Sequence, residues 1–325
     1  MSPSPVPATL PLVSLCIPVL NEIDNLDALY ARLNSLGERV RERCRLEFVF
    51  SDNQSSDGTW ERLQQLAAQD ERIRAIRFSK NVGFQRSILA NYMHARGDAV
   101  MQLDADLQDP PELLEAFLDL WQSGYAVVYG VRRGRQESAA MNGFRRFGYW
   151  LINKISEHPI PPNVGDFRLL DRKVVEVLAK SRTHNPYLRG MIAGLGFRQT
   201  GVVYDRDARI AGASKFGMTR LMRLGFTAVF NHSTVPLRMA TILGIGMIGV
   251  SFLGAIYFIF LKLLESDLPK GLASIHILVL FGIGLQSLLM GVIGEYILRI
   301  YIMLRAEPIA IVDDAINIES SELKL

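Results

Sequence analysis

GDAVMQLDADLQDPPE, residues 97–112, sets an apolar run directly before three acids, Asp104, Asp106 and Asp109, and closes on two prolines. The run is short enough for a buried strand, and Pro110 and Pro111 end it. In extended backbone, side chains two apart share a face, so Asp104, Asp106 and Gln108 align while Asp109 points the other way. Two carboxylates and an amide oxygen suit a hard divalent cation, Mg2+ or Mn2+, whose remaining ligands are usually substrate phosphates. Asp109, of opposite parity and next to Pro110, is assigned to shaping the turn. Glu112 opens a helix, where a negative charge in the first turn is favourable. An Asp-x-Asp triplet alone is common on protein surfaces; its surroundings give this one weight.

Upstream, the chain alternates. Residues 12–20, LVSLCIPVL, form an apolar run, and the stretch after it repeats Leu26, Leu29, Leu33 and Leu36 at helical spacing. LEFVFSD, IRAIRFS and AVMQLDAD give further strands, and DGTWERLQQLAAQ and GFQRSILANYMHAR further helices. Buried strands alternating with amphipathic helices imply an α/β fold, a parallel sheet covered on both faces. Ligands bind outside the carboxyl ends of such strands. PVLNE, SDNQSSDGT and DADLQD all fall there, and three polar loops on one edge mark a site better than any single triplet. YAVVYGVRRGR adds a strand ending in Arg132, Arg133 and Arg135.

The length of 325 residues allows roughly two domains. A net charge of +3 is too small to suggest nucleic acid as a partner. Cys16 and Cys44 are too few and too differently placed for a disulfide framework, which fits a reducing compartment. TLPLVSLCIPVL is broken by prolines and lacks a basic leader, so it does not read as a secretory signal and the first domain is expected in the cytosol.

Residues 239–261 and 271–294 contain no Asp, Glu, Lys or Arg, and each exceeds the roughly 20 residues needed to cross a bilayer. Arg220, Arg223 and Arg238 precede the pair, and Arg299 and Arg305 follow it. By the positive-inside bias this is a hairpin with both chain ends cytosolic, in the inner membrane. The expected organisation is therefore a cytosolic domain, 1–231, a transmembrane hairpin, 232–306, and a cytosolic tail, 307–325. SAAMNGFRRFGYWLINKIS, with Phe144, Phe147, Trp150 and Leu151 beside Arg145, Arg146 and Lys154, reads as a basic amphipathic helix lying on the membrane surface. The tail, PIAIVDDAINIESSELKL, starts with a β-prone piece that would pair with a neighbouring subunit in a homo-oligomer.

VSLCIPVLNEIDNL, SDNQSSDGT, ARGDAVMQLDADLQDPPE, YGVRR, GDFRLLDRKVV and GASKF together resemble the successive motifs of family 2 glycosyltransferases. Within that family the chain is most similar to the polyprenyl-phosphate branch, bactoprenol glucosyltransferases and dolichyl-phosphate mannose synthases, from about Val13 to the second apolar run. The resemblance implies a GT-A, Rossmann-like domain and transfer of one sugar from a nucleotide-sugar to a polyprenyl phosphate. It places Pro18, Leu20, Glu22 and Asp52 on the nucleotide, Asp104 and Ala105 along the ribose and diphosphate, and Asp106 and Gln108, with Asp104, on the metal. Arg132, with Arg145 or Arg146, would receive the acceptor phosphate, and Arg209 and Lys215 would clamp the donor diphosphate. Asn53 and Gln54 stand where relatives often carry an acid and a glycine, and Leu20 where a tyrosine is frequent. The Gln-x-x-Arg-Trp motif of processive polymerases is absent, which favours single-sugar transfer.

A phosphate monoester is already ionised near neutrality, its second pKa lying near 6, so the acceptor needs little help from a base. Departure of the nucleoside diphosphate is the step that needs cationic help. Asp166 lies near the acceptor in related enzymes, as base or as orienting group, with Arg168 beside it as its expected partner. UDP-glucose is the donor the resemblance favours, with UDP-N-acetylglucosamine, GDP-mannose and an aminoarabinose donor as alternatives. Two other readings are a transferase with a non-lipid acceptor and a membrane scaffold that only binds nucleotide-sugars.

Overall fold

The computed structural model describes residues 10–133, 164–180, 186–206, 271–304, 308–319 and 321–323, with isolated positions between 242 and 260. Strand β1 (Leu12–Val19) leads into helix α1 (Ile23–Val40), β2 (Arg45–Asp52) into α2 (Thr59–Ala67), and β3 (Ile73–Phe78) into α3 (Phe84–His94). Strand β4 (Ala99–Gln102) leads through a single 3-10 turn (Pro111–Leu113) into α4 (Leu114–Gln122). Then follow β5 (Val127–Arg132), β6 (Val164–Asp171), α5 (Arg172–Ala179), α6 (Leu188–Gly194), β7 (Gln199–Tyr204), α7 (Leu272–Leu304) and β8 (Val312–Ile316).

The eight strands form one sheet in the order β7-β5-β6-β4-β1-β2-β3-β8. Strands β3, β2, β1 and β4 run parallel, as do β5 and β7, which is the mostly parallel sheet that the alternation implies. Of its two antiparallel strands, β6 lies between β4 and β5 and opposes both, and β8 lies at the β3 edge. Side chains of β1 alternate between the two faces: Val13, Leu15, Ile17 and Val19 pack with α1, α2 and α4, while Cys16 packs with α3, α5 and α6. That double burial explains the unbroken apolar run of β1. In α1 the four periodic leucines, Leu26, Leu29, Leu33 and Leu36, are fully buried. Pro18 sits past the last β1–β4 pair, Cys16↔Gln102, so its missing N–H removes no rung from that ladder.

The chain forms two compact units, 1–154 with 158–217 and 306–325, and 155–157 with 218–305. The tail therefore belongs to the first unit. Strand β8 pairs antiparallel with β3 of its own chain, matching Ala75↔Ile316 and Arg77↔Asp314, where a neighbouring subunit was the expected partner. In the second unit α7 is 33 residues long, and its stretch Phe281–Leu298 has a mean hydropathy of 1.5 with no residue buried. Among the described residues it is the one helix long and apolar enough to cross a membrane. The first expected span, 239–261, lies outside the described residues except at isolated positions, of which Ile242, Phe252, Leu253, Ile256 and Phe260 are helical and exposed. The expected amphipathic helix with Arg145 and Arg146 also lies outside them.

Burying the β3 edge creates one charged centre. Arg74 on β3 is 1% exposed and donates to the His94 carbonyl at 2.6 Å, the Asn317 carbonyl at 3.2 Å and the Glu322 carboxylate, with Glu47 at 3.7 Å. Removing one member of such a group leaves its partners charged and dry. Arg74→Met is expected to lower the free energy of unfolding by about 3–5 kcal/mol, read from denaturant titrations, and Glu322→Gln by less, since Glu322 is partly exposed.

Candidate functional site

Because β1, β2, β4, β5 and β7 point the same way, their carboxyl ends share one edge, and antiparallel β6 brings its amino end there too. The loops after β1 and β2 are stitched together. Asn21 accepts from the Ser56 amide at 2.9 Å, the Asn21 amide donates to Ser55 at 2.9 Å, and the Ile23 amide donates to Asp57 at 3.1 Å. Asn21 and Gln54 hold positive φ angles of 55° and 62°, a conformation that Asn tolerates better than most residues. Asp52 closes β2 fully buried, accepts from the Ser55 amide at 3.1 Å and stands 3.3 Å from Arg77 Nε. Burial pushes its pKa up against those partners.

After β4 the backbone does not stay extended. Leu107 takes φ 59°, a strained value for a large side chain, and it resets the alternation. Asp109 turns inward and is fully buried, so the residue expected to shape the turn does so from inside the fold. It accepts the Tyr204 hydroxyl at 2.6 Å, Arg132 Nη2 at 3.0 Å and Arg206 Nε at 3.2 Å. Arg132 Nε donates in turn to the Tyr204 oxygen at 3.2 Å. Gly165 leaves room for that arginine, since a Cβ there would lie 2.9 Å from its Nη2. Asp106 accepts from the Gln108 amide at 3.2 Å and lies 3.9 Å from Arg206 Nη2.

Asp104 is pushed up to about 7 by burial and by the neighbouring charges of Asp109, Asp166 and Asp106. Asp104 thus feels the charge of three other acids, and the opposing field of Arg132 does not cancel them. Among the described residues no three acid, imidazole or thiol side chains converge tightly enough to hold an ion alone. Asp104 and Asp106 are oxygen donors of the kind a hard cation takes when it shares its shell with substrate oxygens, while the turn at Leu107 takes Gln108 out of the extended alternation that aligned it with them.

Asp166 near the start of β6 is 6% exposed and carries a two-point ion pair, but with Arg189 and not the expected Arg168. Arg189 Nε and Nη2 donate at 2.9 and 2.7 Å, and Gln85 adds a bond at 3.2 Å. Burial opposes the charge of Asp166, yet Arg189, Arg168 and Gln85 together hold its carboxyl below the usual range. Arg168, itself buried, donates to the Gly165 carbonyl at 2.7 Å.

Of the residues singled out from sequence, Asp104, Ala105, Asp106, Gln108, Arg132, Asp166 and Arg168 gather at the ends of β4, β5 and β6. Leu20, Glu22 and Asp52 gather at the ends of β1 and β2, with Leu20 42% exposed and Pro18 buried in β1. Arg209 and Lys215, like Arg145 and Arg146, lie outside the described residues. Arg189, Tyr204, Arg206, Gln85 and Arg77 were not singled out. Only Tyr204 and Arg206 carried a sequence signal, as the polar end of an apolar run just before residues 209–215.

A mostly parallel sheet with an acidic cluster at its carboxyl edge is compatible with the GT-A glycosyltransferase fold, and the family match supplies that class. Residues 14–178 match glycosyl transferase family 2, and the chain belongs to that family. An uncharacterized glycosyltransferase of Bacillus subtilis is 36% identical over 95% of this chain and 96% of its own length. A prophage-derived bactoprenol glucosyl transferase of Shigella flexneri is 34% identical over 91% and 96%. Among solved structures, a mannosyltransferase from Pyrobaculum calidifontis in complex with GDP-Man and Mn2+ superposes with a TM-score of 0.47 at 19% identity, over 69% of this chain and 63% of that one.

Tyr204→Phe removes one donor from a buried carboxylate and is expected to cost about 1.5–3 kcal/mol of stability, measured by chemical unfolding. Asp104 binds its proton more tightly folded than unfolded, so it favours the folded state at acid pH and loses that contribution as pH rises through about 7. Asp104→Asn in metal-free protein should therefore raise the thermal midpoint at pH 8 and leave it nearly unchanged below the unfolded pKa of about 3.9.

Proposed function

We propose that this enzyme transfers a single sugar from a nucleotide-sugar, UDP-glucose by preference, to a polyprenyl phosphate at the cytosolic membrane surface. The observation that carries this reading is the acid cluster of Asp104, Asp106, Asp109 and Asp166 set beside Arg132, Arg206 and Arg189 on one edge of the sheet. Negative groups there suit a cation on the donor side, and arginines suit phosphates. Relatives named for bactoprenol glucosyl transfer, at 34% identity over most of the chain, support a lipid acceptor. The exposed apolar surface of α7 supports a membrane setting, with 239–261 as the other arm of a hairpin.

In this reading Pro18, Leu20, Glu22 and Asp52 frame the nucleotide, with Asp104 and Ala105 along the ribose and diphosphate. Arg209 and Lys215 close on the donor diphosphate. A divalent cation held by Asp106, Gln108 and Asp104 would offset charge on the departing nucleoside diphosphate. Arg132, with Arg145 or Arg146, receives the lipid phosphate. An oxygen of that phosphate bonds to the anomeric carbon as the bond from that carbon to the nucleoside diphosphate breaks, which inverts configuration. Asp166, ionised and tied to Arg189, is a weak base. Its role is to orient Arg189 and Arg168 toward the acceptor phosphate, which needs no deprotonation near neutral pH.

Membranes containing the protein, given radiolabelled UDP-glucose, Mn2+ and a polyprenyl phosphate, are expected to move label into organic solvent in proportion to the lipid phosphate. Label that stays aqueous, or appears on a glycan, would overturn the acceptor. Asp166→Asn should lower kcat by about 100-fold or more while UDP binding changes less than about twofold.

A further inference from the structure

The tail contributes more than an edge strand. Asp314 on β8 is the cross-strand partner of Arg77 on β3, and the register slips directly after this pair, so that Phe78 meets Val312 and Asp313 is bulged. The Asp314 carboxylate accepts the indole N–H of Trp60 at 3.2 Å. Trp60, on the first turn of α2, is 2% exposed, and the Arg77 guanidinium lies over its ring at 5.7 Å. Arg77 then reaches two parts of the loop after β2: Nη2 donates to the Ser55 carbonyl at 3.0 Å, and Nε stands 3.3 Å from Asp52. The Arg77 Nε is buried and makes no hydrogen bond, so the ring beneath it and the Asp52 charge beside it set its position. Ser55 ties that loop to Asn21 at 2.9 Å, at the end of β1.

We propose that the C-terminal strand is a positioning element for the nucleotide subsite, acting from Asp314 through Trp60 and Arg77 to Asp52 and the Ser55 loop. This rests on the reading of Asp52 as a nucleotide contact. Asp314 fixes the indole, the indole carries the guanidinium, and the guanidinium holds the buried carboxylate and the loop carbonyl in one arrangement. A strand that follows α7 in the chain thereby shapes a loop that precedes it by more than 200 residues. None of Asp314, Trp60 and Arg77 has to touch the nucleotide for this to act.

The test uses the full-length protein in detergent or nanodiscs, with UDP and GDP as binding probes in calorimetry and with thermal unfolding recorded in parallel. Asp314→Ala and Trp60→Phe are each expected to weaken binding of the preferred nucleotide by about three- to tenfold, the equivalent of one hydrogen bond. Asp314→Asn keeps an acceptor oxygen and should bind as the unaltered protein does. In an Arg77→Met background Asp314→Ala should weaken binding no further, because the path is already cut. Unchanged affinity in Asp314→Ala and Trp60→Phe, whatever their thermal midpoints, would overturn the inference and leave the strand a structural edge. Full additivity with Arg77→Met would overturn the path. Asp52→Asn separates the two readings: if it leaves UDP and GDP binding unchanged, the nucleotide assignment itself fails. If it weakens binding while Asp314→Ala does not, the positioning inference alone fails.

Discussion

A parallel strand cannot be joined to its neighbour by a tight turn; the chain must leave at one edge and return to the other. In β1, β2, β3 and β4 that constraint sends every outgoing loop to the same side, and helices on both faces keep the strands dry. The loops, left as the polar part of a buried layer, become the surface on which chemistry can occur. Antiparallel β6 serves the same edge from the opposite direction, which is how Asp166 comes to face Asp104 although 62 residues separate them.

Much of this was legible in residues 12–112, because local signals suffice there. LVSLCIPVL and its following leucines specify strand and helix without reference to the rest of the chain, and the loops they bound could be ranked by polarity alone. Where the sequence misled, one backbone angle is responsible. Counting by twos sets Asp109 on the face opposite Asp104 and Asp106, but that rule assumes extended chain, and the left-handed Leu107 breaks it. The partner of Asp166 was illegible for a different reason. Arg168 is adjacent by parity, whereas Arg189 reaches the carboxylate from α6, and no local pattern encodes that tertiary approach. Strand β7 begins with the half-exposed QTG and contributes no unbroken apolar run, so its place beside β5 appears only with the sheet assembled.

The site keeps two kinds of carboxylate. Asp109 and Asp166 are each bound by arginine as fixtures of the fold. Asp104, half-buried among like charges, is pushed up to about 7. The strained turn at Leu107 sits between Asp106, whose side chain keeps some exposure, and Asp109, which is fully buried. Tyr204 and Arg206, at and beyond the end of β7, complete the inner group, linking the outermost strand of one sheet half to the turn after β4.

The order of the strands in space also fixes an order in time. Strand β8 covers the β3 edge, yet it is made after α7, so a chain emerging from the ribosome amino end first carries an open edge until its long apolar helix has been synthesised. An unpaired edge invites pairing with other chains. The catalytic unit is thus left incomplete, with Arg74 lacking Glu322 and the Asn317 carbonyl, for as long as the apolar helix is still being made.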